Sequence, residues 1–422
     1  MTTVTTTATA TVPLPVLSAG VRVPLADGGD AEYAALDYAA SAPALRQVWD
    51  DIAAYAPYYG SVHRGAGHLS QLSTRLFEES RETVARFLGC RPGDSVVFTR
   101  STTDSLNLLA AVTPAGTRVF VFETEHHAAL LPWRGHDVTY LAAPRSPEEA
   151  VRTAEDALRS APAGPKLLCV TGASNVTGEL WPVRELAAAA HRHGARIVLD
   201  AAQLAPHRAV DIARLDVDWV AFSGHKLYAP FGSGVLAGRA DWLGSAEPYL
   251  AGGGASRAVS RRTDGGLDVE WAPDESRHEA GSPNVIGAYA IASACRALTT
   301  AGFDQLAAHE DHLLTRLRTG LAELPAVRPL SLFGPDAARV PVVSFTVSGW
   351  DSAEFARALS ERYGIGVRSG LFCAHPLVRT LLGDDTADCD GGPQAIRASF
   401  GAGTPTSHID RLLAATAELT HP

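Results

Sequence analysis

R-I-V-L-D-A-A-Q (residues 196–203) and V-D-W-V-A-F-S-G-H-K (residues 217–226) close the two ends of the stretch that decides the fold. Ile197–Leu199 and Val217–Phe222 are short, continuous apolar runs, and they predict buried strands of a parallel sheet. Each run ends in polar groups: Asp200 and Gln203 after the first, Ser223, His225 and Lys226 after the second. Ligands of open α/β sheets sit beyond the carboxyl ends of the strands, so both sets are expected to face one crevice. A carboxylate and an amine arriving there from neighbouring strands suit pyridoxal phosphate. That cofactor needs a lysine for its Schiff base and an acid to keep its ring nitrogen protonated.

The composition singles out this amine. The chain has 36 Lys plus Arg, yet lysine stands only at 166 and 226. Arginine serves wherever a plain positive charge suffices. It cannot lose a proton and attack a carbonyl, so a retained lysine in a small-residue turn, Ser-Gly-His-Lys, marks chemistry. Lys166 opens the run Lys-Leu-Leu-Cys-Val and reads as a surface charge at a strand entry.

Outward from this block, strands and helices alternate. Val96–Thr99, Arg118–Phe122, Val138–Leu141, Leu167–Thr171 and Gly234–Ala237 read as further strands. Helices are predicted over 43–59, 73–88, 105–112, 147–160 and 183–193. Ser101, Thr102 and Thr103 stand between a strand and a helix, where hydroxyls and free backbone N–H groups bind phosphate or simply cap the helix. His126 follows a strand and can lie flat on an aromatic cofactor. Asn175 faces the same crevice, or caps its own turn. The small residues Ala39 and Ala40 would let backbone approach a ligand. His63, Arg64 and His68 sit in a glycine-rich connection, and residues 252–282 read as irregular.

After Asn284 the pattern turns helical, with the stripe Phe303, Leu306, Leu313, Leu317, Leu321 and Leu324. Strands are then expected over 342–347, 365–368 and 395–400, with helices over 352–363 and from about 405. The chain of 422 residues is longer than one core usually serves. The expected division is a tail and arm over 1–30, a large α/β domain over 31–290 whose N-terminal segment joins the smaller domain, and a small α+β domain over 291–422.

Hydrophobic content of 46% and charged content of 19% fit a globular enzyme. A net charge of −10 without a basic run argues against nucleic acid, and no apolar stretch is long enough to span a bilayer. The start of the chain lacks a secretion-signal pattern, and five scattered cysteines suit a reducing cytoplasm better than a disulfide framework. No paired Cys-x-x-Cys suggests a metal site.

Several motifs taken together are specific. They are Glu-His-His-Ala (125–128), Leu-Pro-Trp (131–133), Ser-Asn-Val-Thr-Gly (174–178), Leu-Asp-Ala-Ala-Gln (199–203) and Phe-Ser-Gly-His-Lys-Leu-Tyr (222–228). Glu-Ala-Gly-Ser-Pro-Asn (279–284), Val-Arg-Ser-Gly-x-x-Cys-Ala (367–374) and Arg-Ala-Ser-Phe (397–400) complete them. With these the chain resembles the class V aminotransferase-like enzymes of fold type I, closest to cysteine desulfurases of the sulfur-mobilisation (SUF) type and selenocysteine lyases.

The resemblance implies a large domain with a mostly parallel seven-stranded sheet and a smaller C-terminal α+β domain. It implies that Lys226 carries the cofactor and acts as acid and base at the substrate α-carbon. Asp200 would pair with the ring nitrogen, His126 would stack on the ring, and Gln203 would bond its phenolic oxygen. Thr102, Thr103, Ser223 and His225 would hold the phosphate. Ser282 would reach the phosphate of a neighbouring subunit, which implies a homodimer with shared active sites. Arg397 would clamp the substrate carboxylate, with Asn175 and Ala39 nearby.

Cys373 would attack the sulfur of bound cysteine, leaving a persulfide for a sulfur-acceptor protein and releasing alanine. As a residue it also fits a buried structural thiol. Three departures surround the substrate side: a long connection over 376–396 containing Cys389, Phe-Gly-Ala-Gly-Thr after Arg-Ala-Ser, and Leu-Phe before Cys373 where relatives carry histidine. The alternative outcomes on the same cofactor are those of a C–S lyase, an epimerase or an aminotransferase.

Overall fold

The computed structural model describes residues 12–63, 65–383 and 394–421. Its centre is a seven-stranded sheet. In spatial order the strands are Asp94–Thr99, Gly234–Arg239, Trp219–Ser223, Ala195–Asp200, Lys166–Thr171, Arg118–Phe122 and Asp137–Leu141. Gly234–Arg239 runs antiparallel to both neighbours, and the other adjacent pairs are parallel. The strands at 197–199 and 220–222 are buried on both faces, which is why they read as unbroken apolar runs rather than alternating ones. Register sets Thr171 beside Asp200 and Asp200 beside Ala221, so the carboxyl ends of neighbouring strands finish together along one edge.

Helices cover the sheet. Thr102–Val112 starts immediately beyond the first strand, with the Ser101 side chain accepting from the Asp104 N–H as its cap. The helix expected over 43–59 runs only Arg46–Tyr55 and then tightens into a 3-10 turn at Ala56–Tyr58, where Pro57 has no N–H to give. The helix expected from 73 begins at His68, because Gly67 already serves as an extended N-cap. His68 is therefore helical. His63 pairs with Glu78 at 2.8 Å and lies away from the strand ends, and Arg64 lies outside the described residues.

Three further expectations change. Residues 252–282 contain a hairpin, Ser256–Arg261 against Leu267–Trp271. Leu267-Asp-Val-Glu-Trp271 alternates apolar and polar residues and Asp264-Gly265-Gly266 is a turn, so the second strand was legible, although its apolar face stays in solvent. The strand expected over 365–368 is two strands: Ile365–Gly366 pairs in parallel with Ala34–Ala35, and Arg368–Gly370 joins a different sheet. The connection after Cys373 begins with a helix, His375–Leu382, while Cys389 lies outside the described residues.

The second packing unit is a four-stranded antiparallel sheet in the order Val327–Pro329, Val342–Val347, Ala395–Ser399, Arg368–Gly370. The helix Phe303–Ala322 lays Leu313, Leu317 and Leu321 against Phe345, Phe355 and Ile396. Ala34 and Leu36 from the N-terminal segment enter this same core. A boundary between 290 and 291 falls inside the helix Val285–Ala301. That helix buries Ala290, Ile291, Ala294 and Leu298 in the large unit's core. The change of unit comes after the helix, because its buried face belongs to one core along its length.

Candidate active site

The strand ends and the second unit enclose a cavity of about 290 Å³. Ala39, Thr102, Thr103, His126, Asn175, Asp200, Gln203, Ser223, His225, Lys226, Cys373 and Arg397 all line it. So do Arg368, which sequence reasoning did not single out, and Phe372, which it marked only as a departure before Cys373; both stand inside the Val-Arg-Ser-Gly-x-x-Cys motif. Ser282 is the exception: it is exposed on its loop and does not line the cavity of its own chain.

One wall is the sheet edge. Thr102 sits at the first turn of its helix, where its N–H donates to Ser223 Oγ at 2.7 Å and its hydroxyl lies 2.7 Å from the same oxygen. A side chain at Gly234 would meet the Ser101 backbone at 2.7 Å, so that strand must carry glycine for the 101–103 turn to pack here. A helix N-terminus with two hydroxyls is an anion seat. Asp200 is buried, and its Oδ1 accepts from the Ala202 N–H at 2.9 Å. Burial raises its carboxyl above the usual range, against the pull of that N–H and of Lys226. A buried carboxylate so thinly paired calls for a cationic partner.

Lys226 lies beyond the next strand. Burial lowers its amine to about 8, with Arg397 adding to the shift and Asp200, Cys373 and Asp37 opposing it. His126 caps a short helix, its Nδ1 accepting from the Ala128 N–H at 3.0 Å, which leaves its proton on Nε2. Burial, then Lys226, His127 and Arg397, push its ring down to about 3, so it stays neutral and flat-faced. Gln203 is turned toward the N-terminal segment, donating to the Ala39 carbonyl at 2.8 Å. Behind this wall Glu125 is fully buried, and desolvation raises its carboxyl well above the usual range, against the pull of the Thr171 N–H.

The opposite wall comes from the second unit. Arg397 is 3% exposed. It donates to Asp37 Oδ1 at 2.9 Å and to the Asn175 carbonyl at 3.1 Å, and its Nε has no partner among the described residues. A buried guanidinium with an idle N–H can accept a planar carboxylate. The Asn175 side chain, expected at the substrate or the cofactor, donates to the Phe372 carbonyl at 2.8 Å. Cys373 is exposed and free, so the reading of a buried structural thiol fails for it. Cys169 and Cys295 are buried with thiols raised by desolvation, and Cys90 is pushed up to about 12. Those three are poor nucleophiles.

The buried Lys226 amine, the Asp200 carboxyl, the neutral His126 ring and the anion seat at Thr102 and Ser223 line one cavity and form one donor set that fits pyridoxal phosphate. Known proteins point the same way. The family model Aminotransferase class-V matches residues 34–412. A cysteine desulfurase of Enterobacter sp. (strain 638) is 35% identical over 92% of this chain and 93% of its own length. Among solved structures, the apo cysteine desulfurase of Thermococcus onnurineus NA1 superposes with a TM-score of 0.81 at 33% identity, covering 92% of this chain and 95% of that one. The Escherichia coli cysteine desulfurase CsdA, in an S-sulfonic acid form, gives 0.78 at 30% identity over 92% and 96%. A fold built on this sheet, carrying this set of groups and matched along almost its whole length, places the chain in the class-V aminotransferase family.

Proposed function

We propose that the protein is a pyridoxal phosphate-dependent cysteine desulfurase that converts L-cysteine to L-alanine and leaves the sulfur on Cys373. The observation that carries this reading is that Lys226 and the exposed Cys373 line one cavity, with Arg397 beside both. Bound pyridoxal phosphate supplies an electron sink for negative charge at the substrate α-carbon. The residues present would hold it as follows: Lys226 at the aldehyde carbon, Asp200 at the ring nitrogen, His126 over the ring and Gln203 near the phenolic oxygen. Thr102, Thr103, Ser223 and His225 would hold the phosphate.

Arg397 orients the substrate by its carboxylate, aided by Asn175 and Ala39. Lys226, its amine near 8 through burial, can take and return a proton at the α-carbon close to neutral pH. Cys373 then attacks the substrate sulfur. An S–S bond forms, the electron pair of the substrate's breaking C–S bond passes to its β-carbon, and a proton equivalent to the one lost by the Cys373 thiol makes that carbon the methyl of alanine. Its exposed position allows the persulfide sulfur to pass to an acceptor.

The working unit in this reading is a homodimer. Ser282 stands outside its own cavity, where it can face a partner's phosphate, and the hairpin leaves Val259, Leu267 and Val269 in solvent. Val259 pairs with Val269, and a two-stranded hairpin with one apolar face needs a cover. Among the described residues no helix is long and apolar enough to cross a membrane. Free thiols suit a reducing cytoplasm.

Product analysis with L-cysteine tests the function. Alanine together with a persulfide on Cys373 supports it. Pyruvate and ammonia would indicate elimination, and a requirement for an added keto acid would indicate transamination. Either result would replace the reading.

A further inference from the structure

Phe372 and Cys373 are consecutive residues with positive φ, +52° and +53°. Neither is glycine, and a side-chain-bearing residue rarely takes this conformation without something to hold it. Two hydrogen bonds do so. Asn175 Nδ2 donates to the Phe372 carbonyl at 2.8 Å, and the His127 N–H donates to the Cys373 carbonyl at 2.7 Å.

The Phe372 side chain is the third anchor. The Arg397 guanidinium carbon lies 5.0 Å from the centre of its ring. The ring is otherwise packed in an apolar cluster with Val176, Leu377 and Val378. The contacts close a loop. Arg397 donates to the Asn175 carbonyl at 3.1 Å, Asn175 holds the Phe372 carbonyl, and Phe372 lies against Arg397. The next residue along the chain is the nucleophile.

We propose that Phe372 is a positioning residue that ties the carboxylate seat at Arg397 to the pose of the Cys373 thiol. A guanidinium that shifts to take a carboxylate must slide across the ring or carry it along. The Phe372 backbone sits one peptide from Cys373, so either movement reaches the thiol. Phenylalanine here cannot donate or relay a proton, which makes its contribution mechanical: it registers an occupied seat and presents the thiol accordingly. This rests on Arg397 being the amino-acid seat of the proposed function.

The experiment uses holoenzyme and L-alanine, an amino acid that carries the carboxylate but no thiol. Iodoacetamide labelling of Cys373 is followed by mass spectrometry with and without saturating L-alanine. Binding is followed independently by the absorbance of the bound cofactor. In the unaltered protein L-alanine should change the labelling rate by about fivefold, the scale set by one cation–π contact. Phe372→Leu keeps an apolar residue in the cluster but removes the π face. It should lose most of that response while L-alanine still binds, and Phe372→Tyr should retain it. A Phe372→Leu protein that responds like the unaltered one would overturn the proposal, since L-alanine would then be shielding the thiol directly. No response in the unaltered protein despite bound L-alanine would overturn it as well. Absence of any absorbance change with L-alanine would instead remove the amino-acid seat itself, and the inference with it.

Discussion

The two walls of the cavity are built by opposite means. The sheet-side wall takes each of its groups from the end of a strand or the first turn of a helix, and those supports are buried in the large unit's core. Asp200 and Ser223 are placed there by the ends of neighbouring parallel strands, and Lys226 follows Ser223 by three residues in the turn that leaves the same edge. The facing wall is assembled from distant parts of the chain. Asp37 and Arg397 are 360 positions apart, and Asn175 and Phe372 are 197 apart. Its thiol sits on a left-handed pair kept in shape by side chains from elsewhere. The first wall is a rigid seat for something permanent. The second is a set of contacts able to respond to something that comes and goes.

Replacing groups on each wall separately breaks or sharpens this division. Lys226→Ala should have the largest effect, cutting alanine formation from L-cysteine on the order of a thousandfold or more, as loss of a covalent catalyst does. Circular dichroism should show the fold intact. Cys373→Ala should follow, with sulfur release reduced by roughly a hundredfold or more while the cofactor's absorbance is unchanged. Alanine formation at an undiminished rate in that protein would mean that the two walls do not act together.

Arg397→Lys keeps the charge but loses the fork, and should raise KM for L-cysteine by about ten- to a hundredfold. Cofactor affinity should hold, and a weakened cofactor with normal KM would dissolve the distinction between the walls. Next comes pH. An amine lowered to about 8 by burial is protonated and unreactive below that value and free above it. Recombination of cofactor-free protein with pyridoxal phosphate should therefore speed up as pH rises through about 8 rather than through the usual lysine range, as stopped-flow absorbance can follow. The smallest effect belongs to Ser223→Ala, which should weaken cofactor binding by about tenfold, with kcat recovered at saturating cofactor, because one hydrogen-bond partner at the anion seat is lost.

The sheet-side wall was open to a reader of the sequence. Apolar runs of strand length ending in Asp, Ser and Lys state both the fold and the edge where chemistry occurs. The near absence of other lysines marks Lys226. The hairpin at 256–271 was missed although Leu267-Asp-Val-Glu-Trp271 alternates, because the first strand, Ser-Arg-Ala-Val-Ser-Arg, shows no such pattern and the glycines around it read as loop. The split between Ile365–Gly366 and Arg368–Gly370 was missed because two short strands with different partners look like one run. The sequence marked Phe372 only as a departure before Cys373; its contact with Arg397, like Asp37's and the true partner of Asn175, left no local trace, since nothing near them in sequence records what lies across the cavity.

The sequence by itself therefore determined the parallel sheet and the cofactor class, and it singled out Lys226 as the candidate amine. Each follows from short-range pattern: strand periodicity, strand-end polarity and the chemistry that only lysine can do. Tertiary structure alone decided that Arg397 is gripped by Asp37 and Asn175, that Phe372 lies against it, and that Cys373 stands exposed beside the cavity. Those facts depend on where the second unit packs. Such packing is the outcome of many weak contacts between distant segments, and no single stretch of residues encodes it.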